Sequence, residues 1–339
     1  MRPRFFPSLV NDRFGDAAVY VDFLMERRAI MFDLGDISGL PPREALRLSD
    51  VFVSHTHIDH FIGFDQLLRL YVGREKRIRL YGPPGFIDRV EAKLNGYTWN
   101  LTERFRVDLV FTVTEVAGSG EGRRARFGLR NSFCRQDEQD IQVRNGVLLD
   151  ETSLRVRFAE LEHRTPCLGF ALQETEHVNV WKNRLAELGL TIGPWLNTMK
   201  AAIYDDLDDD TPIQVERTNS DTDTLPLGFL RENIVSITPG QKVAYVTDAA
   251  YNPANAASIV KLVKNADTLF IEATFARRDT EFASDRAHLT TKQAGELARA
   301  AGVKRVEPFH FSSRYTGEDE TLLREVDDAF HGTSGDEAE

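Results

Sequence analysis

Cysteine is scarce in this chain. Two in 339 residues, Cys134 and Cys167, are too few for a disulfide framework or a multi-cysteine zinc module. Long apolar runs are missing as well. None approaches the roughly 18–20 residues that span a bilayer, and the start, Met1-Arg-Pro-Arg-Phe-Phe-Pro, turns polar at Asn11-Asp-Arg before a signal-like apolar region develops. A cytoplasmic protein with no membrane partner is the expectation. Basic residues are the minority charge: 42 Lys and Arg stand against 53 Asp and Glu, a net −11. That balance argues against gripping nucleic acid through a broadly basic surface. It leaves room for a local basic track, or for a metal centre that supplies positive charge. What is present, 42% hydrophobic and 28% charged residues, suits a globular protein with ample material for a core.

Short apolar runs separated by Gly, Pro and Asp fill the first 55 residues. Residues 18–24, 29–34 and 50–54 read as strands, followed by a helical pattern over 64–71, a strand over 78–81 and a helix over 86–94 launched by the turn Gly82-Pro-Pro-Gly85. The middle is strand-rich over 105–116, 126–133, 147–149 and 154–161. It turns helical over 180–203, with a break at Gly193-Pro194. The acidic run Asp205-Asp-Leu-Asp-Asp-Asp210 and the Thr/Asp/Asn-rich stretch to Thr224 are expected to form a mobile loop, or simply a solvated acidic linker. Strand and helix then alternate again over 242–247, 254–264, 268–272, 291–301 and 305–309, with Gly302 where a helix-terminating glycine belongs. Such alternation favours a layered α/β fold. The small acidic tail over 332–339 is expected to be disordered.

The most informative stretch is Ser54-His55-Thr56-His57-Ile58-Asp59-His60, directly after an apolar strand. At strand-like period two, His55 and His57 project to one side and can hold one metal. A helical turn starting near Asp59 would aim Asp59 and His60 at a neighbouring position. Four ligand-type side chains in six residues would desolvate one another without gain unless a cation satisfied them. Three more candidates lie at other strand ends. His163 could complete the first metal, Asp248 could bridge both, and His310 could complete the second. Read alone, His163 and His310 serve equally as core histidines and Asp248 as a helix N-cap. His288, in Arg286-Ala-His-Leu-Thr-Thr, is spare for a proton donor or phosphate contact beside the metals. Of eight histidines, only His177 and His331 remain without a role.

The H-x-H-x-D-H signature with the later His, Asp and His resembles the metallo-β-lactamase superfamily, and within it the ribonuclease Z family of tRNA 3′-processing endonucleases. Phe270-Ile-Glu272-Ala-Thr-Phe275 is similar to that family's His-Glu-Ala-Thr-Phe segment. Ala287-His288-Leu-Thr-Thr resembles its His-Ser/Thr-Thr motif, and His310-Phe-Ser-Ser-Arg314-Tyr315 its final His-x-Ser-x-Arg-Tyr motif. Leu188-Gly-Leu-Thr-Ile-Gly-Pro-Trp resembles a segment near its substrate-binding arm. The resemblance implies an αββα sandwich formed by one domain over 1–331, with an inserted helical and acidic arm-like segment over 164–241, and a homodimer. It implies His55, His57, His163 and Asp248 on one zinc and Asp59, His60, Asp248 and His310 on the other. It also makes His288 catalytic with Glu272 supporting it, although a strand-end carboxylate such as Glu272 serves equally in a surface ion pair. One departure is the family's glycine-rich segment, present here only as Asp33-Leu-Gly-Asp-Ile-Ser-Gly.

The expected activity is metal-dependent phosphodiester hydrolysis, with tRNA precursors losing their 3′ trailers. The alternative is a hydrolase of a cyclic nucleotide, another small phosphodiester or a lactone on the same site. A third reading is a metal-binding module without turnover, which the spare His288 argues against. Two Zn²⁺ are expected, though Mn²⁺ or Fe would accept the same N/O ligands. Asp59 is expected to orient the attacking water as well as bind metal. Arg314 is a candidate phosphate contact, or else packs its stem beside Tyr315. The run Arg69, Arg74, Lys76, Arg77 and Arg79 is a candidate RNA track, or ordinary solvated surface.

Overall fold

A computed structural model describes residues 3–24, 26–175, 177–219 and 221–333. Two compact units emerge, one formed by 1–173 with 241–339 and one by 174–240.

The first unit contains two sheets. In one, the strands run in the order Phe5–Leu9, Val19–Phe23, Ala29–Phe32, Leu48–Phe52, Lys76–Gly82, Leu109–Val116, Glu121–Gly128 and Gln136–Asp137, and Ile141–Gln142 also pairs with Glu121–Gly128. The middle four are parallel and the flanking pairs antiparallel. The other runs Val147–Glu151, Leu154–Glu162, Pro166–Glu174, Lys242–Val246, Thr268–Glu272, Val306–Phe309, and its last three strands are parallel.

Period-two alternation sorts the strand residues into layers. Ile30, Phe32 and Phe52 point between the sheets, where they meet Phe170, Val243 and Tyr245. Their neighbours Ala29, Met31, Val51 and Val53 point outward against Phe64, Leu67 and Leu68 of the helix Phe64–Tyr71, and Ile87 and Val90 of the helix Phe86–Asn95. On the other side Ala244, Val246, Leu269 and Ile271 pack on the helices Pro253–Val263 and Thr291–Ala300. The layers are therefore helix, sheet, sheet, helix. Between the sheets the aromatic rings interlock: Phe32 lies 5.5 Å from Tyr245 and 5.8 Å from Phe170, and Phe52 lies 5.6 Å from Phe170.

The second unit, Glu174–Gly240, has its own core of Leu185, Trp195, Met199, Ile213, Val215, Leu227 and Leu230. Its helices are Lys182–Glu187, Trp195–Tyr204 and Leu227–Ile234, with the break at Gly193-Pro194 as expected. The stretch expected to be a mobile loop is not one throughout. Pro212–Glu216 and Thr222–Pro226 form an antiparallel hairpin. Ile213 and Val215 alternate into the unit's core, which anchors a ribbon whose polar composition alone suggests a loop. Pro166–Glu174, within the stretch expected to form the arm, is a strand of the second sheet.

Three further differences concern the ends and the basic run. The helix Asp319–His331 ends at Gly332 with φ +76°, and the rest of the expected disordered tail, 334–339, lies outside the described residues. Arg79 pairs with Asp50 at 2.6 Å and Glu151 at 3.0 Å, and Lys76 donates to the Leu46 carbonyl at 2.8 Å. These two are held within the fold, which leaves no continuous basic track through them.

Candidate metal centre

Each candidate ligand is delivered by a strand end. The strand Leu48–Phe52 leads to His55 and His57, after which the short helix Ile58–Phe61 places Asp59 and His60. His163 follows Leu154–Glu162, Asp248 follows Lys242–Val246, and His310 follows Val306–Phe309. Asp33, Asp248 and His310 all have positive φ, +57°, +26° and +61°. Non-glycine residues held there carry backbone strain that the surroundings must enforce.

All seven sequence-derived ligand candidates converge. Of the three groups whose ligand atoms lie within 4.8 Å of one another, one is Asp248, Glu272, His288 and His310; the two that comprise the seven candidates are His55, His57, His163 and Asp248, and Asp59, His60 and His310. Asp248, buried, stands between them. Its Oδ2 lies 3.3 Å from His163 Nε2 and 3.5 Å from both His55 Nε2 and His60 Nε2, while its Oδ1 lies 3.2 Å from His310 Nδ1. Asp59 Oδ2 is 3.4 Å from His60 Nε2 and 3.2 Å from His310 Nε2.

The outer nitrogens show how these rings are held. His60 Nδ1 donates to Asp33 Oδ2 at 2.8 Å, His163 Nδ1 to the Ala287 carbonyl at 2.8 Å, and His55 Nδ1 lies 3.1 Å from Ser54 Oγ. Each bond turns the Nε2 lone pair inward, as metal-ligating histidines require. His60 Nε2 is buried and has no aligned hydrogen-bond partner, and His55 Nε2 abuts His57 Nδ1 at 2.8 Å. Five imidazoles crowded so closely are unfavourable without a cation. The donor set therefore fits divalent metal ions.

Charge follows the same geometry. Burial, reinforced by the neighbouring His60, drives the His55 imidazole down to about 2. Burial also opposes charge on His60, but the Asp248 and Asp33 carboxylates outweigh it and hold His60 well above its ordinary value. Burial likewise disfavours ionised Asp248, yet the histidines around it, His310 first, hold it well below the usual carboxylate range.

Beside this cluster sits His288. The capping box of Thr290 and Gln293 fixes the start of the helix Thr291–Ala300, and the Phe275 amide donates to the Leu289 carbonyl at 3.2 Å. His288 Nδ1 donates to Glu272 Oε2 at 2.8 Å. Glu272 is fully buried and also accepts from the Ala249 amide at 2.6 Å and Thr274 Oγ1 at 2.5 Å. It is not in a surface ion pair, and its oxygens are occupied in orienting others. Burial works against a charged His288, but Glu272 prevails and the imidazole is pushed up to about 9. Together with His57, Asp59, His163, Asp248, His310 and Arg314, His288 lines a cleft of about 470 Å³. Arg314 lies over the Phe282 ring at 4.1 Å and within 5.9 Å of the Tyr315 ring, so it borders the cleft and packs on aromatics at once.

Asp33 was not expected as a site residue. Buried, it accepts from the Ser54 amide at 2.6 Å, Ser54 Oγ at 2.7 Å, His60 Nδ1 at 2.8 Å and the Tyr245 hydroxyl at 2.6 Å. The available signal was a carboxylate ending the wholly apolar strand Ala29–Phe32. The loop after it lies under the metal-ligand turn: the Leu34 amide donates to the His60 carbonyl at 2.9 Å, and the Gly63 amide to the Leu34 carbonyl at 2.8 Å. A Cβ on Gly63 would fall 2.2 Å from the Gly35 carbonyl oxygen, a backbone atom that cannot swing aside. Gly63→Ala is expected to cost about 1–3 kcal/mol of stability and to lower metal content. Thermal unfolding and metal analysis of the variant, unchanged from wild type, would contradict this.

A beta-lactamase superfamily domain matches residues 210–311. The ribonuclease Z of Deinococcus radiodurans is 32% identical over 289 residues, covering 84% of this chain and 83% of that relative. The chain belongs to the ribonuclease Z family. The ribonuclease Z of Limosilactobacillus reuteri is 27% identical over 315 residues, 89% of this chain and 84% of its own. Among solved structures, the short form of human tRNase Z superposes with a TM-score of 0.51 at 18% identity, over 92% of this chain and 93% of that one. The metallo-beta-lactamase fold protein YhfI from Bacillus subtilis gives 0.52 at 13%, over 96% and 90%. The layered architecture described above is thus the metallo-β-lactamase fold, and family membership makes the protein a metal-dependent hydrolase. No described helix is long and apolar enough to cross a membrane.

Proposed function

We propose that this chain is an endoribonuclease that removes 3′ trailers from tRNA precursors, with His55, His57, Asp59, His60, His163, Asp248 and His310 holding two divalent cations. The observation that carries the reading is the pair of ligand groups that Asp248 joins, in one group with His55, His57 and His163 and within 3.5 Å of His60 and His310 of the other, beside a histidine that a buried carboxylate orients, in a member of the ribonuclease Z family. A donor set dominated by imidazole nitrogen favours zinc over the oxygen-preferring Mg²⁺ and Ca²⁺. The Glu174–Gly240 unit is, on this reading, an arm inserted into one catalytic domain. A cytoplasmic homodimer, implied by the family resemblance, completes the proposal.

When bound, two cations supply Lewis acidity at the scissile phosphate and an activated water. Only Asp59 and Asp248 among the seven ligands are anionic, so two dications leave the centre positive and able to draw in a phosphodiester despite the chain's net −11. Asp59, partly exposed at the cleft, accepts a hydrogen bond from the attacking water and orients it. His288, with Nδ1 committed to Glu272, presents its other ring edge as a donor. The water gives up a proton past Asp59 to solvent as its oxygen bonds to phosphorus and the P–O3′ bond breaks. The departing 3′ oxygen takes a proton from His288, leaving a 3′-hydroxyl on the tRNA and a 5′-phosphate on the trailer.

The decisive assay gives metal-loaded protein a 3′-extended tRNA precursor and, separately, a small chromogenic phosphodiester. A single cut releasing the trailer is the expected result. Hydrolysis of the small diester alone would instead identify a small-molecule phosphodiesterase, and hydrolysis of neither would remove the nuclease reading.

A further inference from the structure

One wall of the cleft is not used by the metal ligands or by the His288–Glu272 pair. It is formed by Phe275, Phe282, Arg286 and Arg314. Phe282 projects from the short helix Thr280–Arg286 and keeps 38% of its surface exposed. Its ring meets Phe275 edge-on at 5.4 Å, and Phe275 in turn lies 5.9 Å from the His288 ring. Two guanidinium groups lie against the same ring, Arg314 at 4.1 Å and Arg286 at 5.4 Å. Both arginines are exposed. Among the described residues, neither makes an ion pair with a carboxylate, so their charge is not neutralised within the fold.

An exposed aromatic face flanked by unneutralised guanidinium groups is the chemistry that holds single-stranded nucleic acid. The base stacks on the ring and on the guanidinium planes, and the phosphate takes the charge. We propose that Phe282, with Arg286 and Arg314, forms the subsite for the nucleotide immediately 5′ of the scissile phosphate. Its base stacks on Phe282, and the two arginines hold its phosphates. The wall leads outward from His288, the group that protonates the departing 3′ oxygen, and that oxygen belongs to this nucleotide. The inference rests on the trailer-removing activity proposed above and adds the residues that seat the RNA strand.

The test is a coupling experiment on metal-loaded full-length protein. Precursor tRNA is made intact or with an abasic residue immediately 5′ of the cleavage site. Removing the base should lower the wild-type kcat/KM about tenfold, the size of a lost base–aromatic stack. Phe282→Leu, which keeps the bulk against Phe275 but removes the π face, should cut the intact precursor about tenfold more slowly and lose less than about twofold further on the abasic one. Phe282→Trp should keep the full abasic penalty. Arg286→Ala should reduce the slope of log kcat/KM against log salt by about 1, as expected for one lost phosphate contact. Equal abasic penalties in wild type and Phe282→Leu, or an unchanged salt slope in Arg286→Ala, would overturn the subsite while leaving the nuclease reading intact. Failure of the wild-type protein to cut the precursor at all would overturn the activity on which the subsite depends.

Discussion

Alanine at position 288 is expected to lower kcat for trailer removal about 10²- to 10⁴-fold, the range for a lost general acid, while the protein still carries its full complement of metal. The separation of the two effects follows from geometry. The His288 ring falls in a third group with Asp248, Glu272 and His310, but its Nδ1 is tied to Glu272 and so offers a cation no lone pair there. Removing it leaves seven ligands in place and takes away the proton for the departing oxygen. Glu272→Gln should produce a smaller loss in the same direction. An amide there keeps an acceptor for Thr274 or the Ala249 amide, but it no longer supports a protonated imidazole as the carboxylate does. Near-normal turnover in His288→Ala, measured at saturating precursor, would remove His288 from the chemistry.

The second large effect concerns the cations themselves. Chelation should abolish hydrolysis, and metal re-addition should restore it. The thermal midpoint should move with occupancy, because a ligand that binds only the folded state stabilises it by about 4 kcal/mol at a thousandfold excess over its Kd. Asp248→Ala should reproduce the chelated state permanently, since Asp248 faces both ligand groups, Oδ2 reaching His163 and His60 and Oδ1 reaching His310. Metal analysis should find less than the wild-type content, and added zinc should not raise the midpoint as it does for wild type. A variant that retained two cations and full turnover would show that the carboxylate does not hold the centre together.

How far the site was legible depended on distance along the chain. The segment His55–His60 announces itself because its ligands are adjacent, and a strand followed by a turn is a local structure that sequence periodicity reports well. His163, Asp248 and His310 carry no such local mark. Each is a polar residue after an apolar strand, which made it a candidate with an equally good bland reading, and the resemblance to known motifs assigned it to a metal. Asp33 went unassigned because its partners Ser54, His60 and Tyr245 lie 21, 27 and 212 positions away. Phe282 and Arg286 escaped notice for a related reason. A phenylalanine in a seven-residue helix looks like core until the fold shows its ring at the rim of a cleft, and an arginine there looks like solvated surface. The hairpin Pro212–Glu216 with Thr222–Pro226 was hidden by its polar composition, with Ile213, Val215 and Leu225 as its apolar contacts to the core.

Much of the strand and helix alternation of the first unit, the central ligand cluster and the absence of a disulfide framework were contained in the amino-acid sequence. Periodicity, strand-end chemistry and residue counts are properties of neighbouring residues. Only the tertiary structure decided which remote side chains surround Asp248, which way the imidazole nitrogens point, what Glu272 holds, and which aromatic and basic groups share the cleft wall. Those relations are set by how two sheets stack and how their strand ends meet. Packing of this kind brings together residues that no local pattern connects.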